Sequence, residues 1–187
     1  GTSLKFIPQS IPDIVLIKPT AQIDSRGYFL ETFKQDVFEN NIGYKVNFCQ
    51  DNESKSTKGV LRGLHYQLPP YSQAKLVRVI QGKILDVAVD IRKSSKTFGE
   101  HIALELSSSN RYHLFIPKGF AHGFQVLSDS AIFSYKVDNI YAPDLERGIA
   151  YNDPNLAIDW QLPLNPIDIS DKDRSNPILN NASDLFT

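Results

Sequence analysis

Sulfur is almost missing from this 187-residue chain, which has one cysteine, Cys49, and no methionine. One thiol cannot close an internal disulfide and is too few for a zinc cluster, so a reducing, cytoplasmic setting is expected. An excess of one charge sign is missing as well. The 20 Lys and Arg stand against 21 Asp and Glu, for a formal net charge of -1. No sequence-wide positive field therefore exists to hold a nucleic acid or an anionic membrane. No apolar run is long enough to span a bilayer, and the N-terminus reads without a signal peptide. Glycine-rich phosphate loops, a Walker sequence and a Gly-x-Ser-x-Gly elbow are also absent, which sets aside the ordinary dinucleotide, NTPase and hydrolase signatures. Repeats and low-complexity segments are lacking too.

What is there is a chain with 41% apolar and 22% charged residues, long enough for one domain with a real core. Gly1-Thr2-Ser3 reads as a remnant in place of an initiator, so the domain is expected over 4–187. The middle is written in strand language. In Lys83-Ile-Leu-Asp-Val-Ala-Val-Asp-Ile-Arg92, the residues Val87, Val89 and Ile91 alternate with Asp86, Ala88, Asp90 and Arg92, which predicts a strand with one inward face. The run Lys75-Leu-Val-Arg-Val-Ile-Gln81 precedes it across Gly82, and the spacing predicts that the two pair as a hairpin. Further strands are expected over 101–106, 112–116, 122–127 and 131–137, with Ile14–Ile17 and Tyr28–Phe33 flanking them. Turn residues recur at the spacing of sandwiches and barrels. Helical periodicity is weak, and a short helix over Phe33–Asn41 and a turn near Asp144–Gly148 are the best candidates. After Ile149 the texture becomes Pro-rich, and this tail has too few apolar residues for its own core, so it is expected to pack over the barrel.

Polar residues interrupt the strand pattern most in Gly59-Val-Leu-Arg-Gly-Leu-His-Tyr-Gln67, with Lys75 opening the next strand. Residues two apart share a strand face, so His65 and Gln67 point the same way. A lone strand histidine is ordinarily a surface or packed residue, and a lone Arg62 a solvated charge. Clustered with Lys75 near them they weigh differently, because inward cations in a small barrel are expensive unless they meet an anion or another partner. The segment Ile116-Pro-Lys-Gly-Phe-Ala-His-Gly-Phe124 has the Pro-x-Gly-x-x-His form of the second cupin motif. Where metal-binding cupins carry His-x-His and a downstream Glu, this chain has His65-Tyr66-Gln67 and Lys75. Four histidines without matching carboxylate spacing therefore predict no metal. Tyr135 and Ser170-Asp-Lys-Asp173 would not stand out by composition, since buried tyrosines commonly just pack and tail carboxylates are commonly solvated.

These motifs closely resemble the dTDP-4-dehydrorhamnose 3,5-epimerases, cupin-class enzymes that work without a cofactor. The likeness runs from Asp24-Ser-Arg-Gly-Tyr-Phe29 through Gln50-Asp-Asn52, Gly59–Gln67, Gln73-Ala-Lys-Leu-Val77, Asp86–Asp90, Ser95–Gly99, Ile116–Phe124 and Tyr135 to Ser170–Asp173. It departs at Trp160-Gln-Leu-Pro163 and over 136–140. The resemblance implies a mostly β fold, a cupin-type antiparallel jelly roll with a few short helices and a loop-rich C-terminal tail. It implies a nucleotide-diphosphate 4-keto sugar as substrate, inverted at C3 and C5 by proton removal and return, in deoxysugar supply for surface polysaccharide. By resemblance His65 is the base, Tyr135 the acid, Lys75 the cation at the keto oxygen and Asp173 the partner of His65, with Asp171 left open as an alternative partner. Arg62 matches the diphosphate grip and His122 a substrate contact. Gln50, Asp51, Asn52, Gln67, Glu146 and Lys172 match positions around the nucleotide or sugar. Arg26, Phe29 and Glu31 match a segment that reaches a neighbouring subunit's nucleotide, which implies a homodimer. C3-only epimerases, epimerases of GDP-linked sugars and non-catalytic sugar-binding cupins stay open as alternatives.

Overall fold

The computed structural model describes residues 3–187; Gly1 and Thr2, part of the expected remnant, lie outside the described residues. In chain order the elements are β1 (Leu4–Pro8), β2 (Val15–Pro19), β3 (Gln22–Asp24), β4 (Gly27–Phe29), α1 (Gln35–Ile42), β5 (Gln50–Thr57), β6 (Leu61–Gln67), β7 (Lys75–Gln81) and β8 (Lys83–Asp90). They continue as β9 (His101–Ser107), β10 (His113–Ile116), β11 (Phe120–Val126), β12 (Ser130–Val137), β13 (Glu146–Gly148) and α2 (Asp171–Arg174). A six-stranded sheet in the order β1-β2-β10-β7-β12-β5 lies against a five-stranded sheet in the order β13-β6-β11-β8-β9, and β3 and β4 form a separate hairpin. The fold is mostly β and its strand pairs are antiparallel, as the resemblance implied.

The strand period of two decides what lies between the sheets. Val77, Val79, Leu114 and Ile116 of the larger sheet meet Ile84, Ala88, Phe120, Phe124 and Val126 of the smaller one, all buried. Each large side chain so buried contributes about 1.5–3 kcal/mol. The outer face of the larger sheet is covered in part by α1, whose Phe38 packs on Val15, Ile17, Leu76 and Phe115. The outer face of the smaller sheet is covered by the tail, where Ile149, Leu156 and Leu179 pack on Leu64, Leu85, Val87, Val89 and Ile91. Buried Asp153 ties this tail together by accepting from the backbone N–H groups of Asn155 (2.9 Å) and Leu179 (2.8 Å).

Three local expectations need correction. β7 and β8 do not form a hairpin: β7 pairs with β10 and β12, whereas β8 pairs with β9 and β11. Gly82, at φ 87°, turns the chain from one sheet to the other, and a Cβ there would lie 2.2 Å from the Ser130 carbonyl oxygen. The inward face of β8 is also the opposite of the expected one, since Val87, Val89 and Ile91 lie beneath the tail while Ala88 packs between the sheets. Both faces of that strand are buried, so alternation could not tell them apart. Finally, of the expected strand over 28–33 only Tyr28 and Phe29 lie in a ladder, as the end of β4.

Candidate active site

Between the sheets lies a cavity of about 300 Å³. The smaller sheet lends it His65, His122 and Phe124, the larger sheet Asn52, Lys75, Phe133 and Tyr135, and the tail Lys172 and Asp173. A second lobe of about 280 Å³ shares Asn52, His65, Lys75 and Tyr135 and adds Gln50, Gln73, Tyr141 and Glu146. The imidazole of His65 and the phenol of Tyr135 thus enter one cavity from opposite sheets. His65 lies in register with His122 across the β6–β11 ladder. That ladder is unusually close at Gly63, where φ is 133° and a Cβ would stand 2.6 Å from the Gly123 Cα. No other residue fits there, and the backbone so placed aims the Gly63 N–H at Asp173.

Asp173 is what orients His65. Its Oδ1 lies 2.6 Å from His65 Nε2, and its Oδ2 accepts from the Gly63 N–H at 3.1 Å. An ionised carboxylate only accepts, so the proton sits on Nε2 and the lone pair on Nδ1. Asp173 stands on the short helix α2, whose first turn is capped by the Ser170 Oγ accepting from the Asp173 N–H. Burial pushes the Asp173 carboxyl up, but the bond to His65, the His65 charge, the Gly63 N–H and Lys172 outweigh it and hold the group below its ordinary value. The pair is asymmetric in exposure, 31% for the His65 side chain and 6% for that of Asp173. Asp171, the alternative partner, is exposed and paired with Arg174.

Burial raises the Tyr135 phenol above its ordinary value, against the opposing pull of Asn52 and Arg62, so it stays protonated and able to donate. Burial lowers the Lys75 ammonium to about 8, with Asp86 pulling it back up. Among the described residues Lys75 makes no ion pair with a carboxylate. Its Nζ lies 5.9 Å from the centre of the Tyr135 ring. His122 Nε2 is 2.7 Å from Asp86 Oδ1, and burial lowers the His122 ring despite that carboxylate. Phe124 stacks on Phe133 with centroids 4.4 Å apart, giving the cavity one apolar wall.

The remaining candidates fall into three groups. Arg62, with its Nε 3.1 Å from Ser56 Oγ, lines the cavity, and Glu146 and Lys172 form an ion pair at its rim. Gln50 and Gln67 line the second lobe, but the Gln67 carboxamide is committed to the Tyr71 and Ile140 carbonyls and the Ala142 N–H, so it braces the wall. Asp51 is not brought to the cavity: one residue out of phase with Asn52, it points to the opposite sheet face and pairs with Lys136 at 3.1 Å. Arg26 and Phe29 stand on the exposed β3–β4 hairpin, with Arg26 held by Asp24 at 2.7 Å, and Glu31 follows that hairpin, so none of the three lines the cavity in this chain. Sequence reasoning missed Asp86, Phe124 and Phe133, which were counted with strand and core. Among the described residues no three His, Cys, Asp or Glu side chains converge as metal ligands would, and no helix is long and apolar enough to cross a membrane.

Two stacked antiparallel sheets enclosing an imidazole, a phenol and an ammonium place the molecule among the cupin-type sugar-nucleotide epimerases, which are isomerases. Its relatives narrow that class. The chain belongs to the dTDP-4-dehydrorhamnose 3,5-epimerase family, whose sequence profile matches residues 8–181. It is 55% identical over 170 residues to the dTDP-4-dehydrorhamnose 3,5-epimerase of Shigella flexneri, covering 91% of this chain and 93% of that protein. It is 51% identical over 174 residues to the enzyme of that name from Methanothermobacter thermautotrophicus, covering 91% and 92%. The crystal structure of dTDP-6-deoxy-D-glucose-3,5-epimerase from Legionella pneumophila, in complex with dTDP-4-keto-L-rhamnose, superposes with a TM-score of 0.92 at 45% identity, covering 97% of this chain and 95% of that one.

Proposed function

We propose that this protein converts dTDP-4-dehydro-6-deoxy-D-glucose to dTDP-4-dehydro-L-rhamnose by inverting C3 and C5. The observation that carries the reading is the entry of His65 and Tyr135 into one cavity from opposite sheets, with the Lys75 ammonium beside them. The ketone at C4 acidifies the hydrogens on C3 and C5. His65 Nδ1 takes one of them, the C–H electron pair moves into the ring, and the C4 oxygen becomes an enolate. Lys75 stabilises that charge more than it stabilises the neutral ketone, which is where rate is gained. Tyr135 then donates a proton to the opposite face of the same carbon. The net change is one proton removed and one returned, with solvent restoring the imidazole and the phenol. No oxidation state changes, so no step calls for a redox partner.

Several features support the details. Asp173 fixes the His65 tautomer and stabilises the imidazolium that forms. Arg62 can grip the diphosphate with parallel donors, and the Phe124–Phe133 wall suits the methyl group on C5. Asn52, Glu146 and Lys172 surround the remainder of the sugar nucleotide. A homodimer is part of the proposal, because Ile23, Tyr28 and Phe29 leave an apolar hairpin exposed and Arg26 and Glu31 stand with it. So is a cytoplasmic site of action, which the free Cys49 suits.

The test is solvent-deuterium incorporation into the dTDP-4-keto sugar followed by proton NMR. Label is expected at both C3 and C5, and it should vanish in His65→Ala; exchange surviving unchanged in that variant removes His65 as the base. Tyr135→Phe is expected to lose net inversion more than proton removal, and equal turnover in the two proteins rejects the phenol as the acid. Label at C3 alone would reassign the protein as a C3 epimerase, and preference for a GDP-linked substrate would reassign the nucleotide.

A further inference from the structure

Asp86 is a buried ionisable group that the proposed reaction does not use. It sits on β8 opposite Phe124 of β11 and is 0% exposed. One of its oxygens bonds His122, and the other, Oδ2, has no hydrogen-bond partner among the described residues. A buried acceptor left unpaired costs about 1–3 kcal/mol, and more when it is charged, so such an atom calls for an explanation. Asp173 serves His65 and the Gly63 N–H, and Glu146 serves Lys172. Glu53 also lines the cavity but is exposed, so Asp86 stands apart as a fully buried carboxylate with capacity to spare.

The complementary anomaly is Lys75, a cavity ammonium without an ion pair among the described residues. Around it stand the cationic or titratable groups His65 and Arg62 of β6, His122 of β11 and Tyr135 of β12, with Lys172 and Asp173 from the tail and Glu53 of β5 on the same cavity. Asp86 is the carboxylate whose charge acts on Lys75. A direct bond between them would draw the ammonium away from a substrate; a carboxylate that is near but unbonded keeps the charge and leaves the N–H donors free.

We propose that Asp86 is a positioning residue for the reaction: Oδ1 fixes His122 with its Nδ1 lone pair turned to a sugar hydroxyl, and Oδ2 supplies the unbonded counter-charge that keeps Lys75 an ammonium at the carbonyl. The inference rests on the reading of Lys75 as the group at the C4 oxygen. An ammonium, not an amine, stabilises an enolate, so activity falls as pH rises through the Lys75 titration. Removing the negative charge of Asp86 lowers that titration and moves the alkaline limb of the pH profile to lower pH.

The experiment is the pH dependence of kcat/KM for Asp86→Asn, Lys75→Met and the double variant with the dTDP-4-keto sugar. Asp86→Asn is expected to lower kcat about 10–100-fold, to move KM less than about threefold and to bring the alkaline limb down by about one pH unit or more. In the Lys75→Met background the same change should cost less in kcat than it does in the wild type, because the part that acts through Lys75 is already lost and only the part that acts through His122 remains. An Asp86→Asn limb that stays in place while Lys75→Met is slow overturns this inference alone. A Lys75→Met enzyme as fast as wild type overturns the reading of Lys75 itself. Should Asp86→Asn fail to fold, NMR of the wild-type protein decides: the Lys75 nitrogen is expected to remain protonated at neutral pH and to titrate at about 8. A neutral Lys75 at neutral pH overturns the proposal.

Discussion

Replacing Asp173 by asparagine swaps one carboxylate oxygen for an amide nitrogen and leaves the shape alone. The native carboxylate is used twice, by His65 Nε2 at 2.6 Å and by the Gly63 N–H at 3.1 Å. The Gly63 N–H can only donate, so the single oxygen of the introduced carboxamide is drawn to it and the amide NH2 faces His65. His65 Nε2 must then accept, its proton moves to Nδ1, and the nitrogen that should take the sugar proton is already occupied. The other amide orientation keeps the productive tautomer but sets a buried N–H against an NH2, at about 1–3 kcal/mol. In either case the imidazolium loses a charge-assisted bond of about 1.5–3 kcal/mol. Together these give about 2.5–6 kcal/mol on the barrier, or roughly 10²–10⁴ in kcat at about 1.4 kcal/mol per decade. Deuterium wash-in at C3 reads the step directly. Asp171→Asn is the internal control and should stay within about twofold of wild type, because the exposed Asp171 carboxylate pairs with Arg174, while its backbone carbonyl, which the substitution leaves in place, accepts from Ser175 Oγ. An Asp173→Asn enzyme within about fivefold of wild type would refute the orientation argument.

Three further outcomes are expected. Wild-type kcat/KM should fall with increasing pH above about 8, where Lys75 loses its proton, and a profile flat to well above that value would show that its charge is not needed. Asp90 is buried and held at about 2, because bonds from Arg92, Ser95 and Thr97 overcome the burial that would raise it. A carboxyl depressed in the folded state contributes stability above the ordinary carboxylate range and loses it as pH falls toward about 2. Asp90→Ala should therefore cost about 3–5 kcal/mol near neutrality and flatten the acid limb of urea-melt stability; an unchanged acid limb would contradict this. Gly82→Ala places a Cβ 2.2 Å from the Ser130 carbonyl oxygen at a positive φ. It should lose about 2 kcal/mol or more, a fall in Tm of roughly 4–8 °C, and an unaltered melt would show that the corner relaxes freely.

Most strands were legible because their turns are punctuated by glycine, proline and serine, and α1 over Gln35–Ile42 lies within two residues of the expected 33–41. Which strand pairs with which was less legible. Lys75–Gln81 and Lys83–Asp90 are one residue apart in the chain, and nothing local says that Gly82 turns a corner between sheets instead of closing a hairpin. The two faces of β8 were unreadable for a different reason. Its solvent-like residue Asp86 is buried against a histidine 36 positions later, a partnership visible only when β8 and β11 are aligned. Around the cavity, His65, Lys75 and Tyr135 announced themselves through motif resemblance, whereas Asp51 and Asn52 could be told apart only by register against β12. The tail was read as packing over the barrel, and it does so through Leu156 and Leu179.

That tail has a consequence for the order in which the molecule becomes competent. Both sheets are complete once the ribosome has delivered β13, ending at Gly148, yet the carboxylate that bonds His65 arrives at position 173. A nascent polypeptide halted between those points would hold its scaffold and its imidazole while the imidazole remained unaligned. If His65 is the base, removing the chain from 170 onward should cost activity while leaving the strands of both sheets in place.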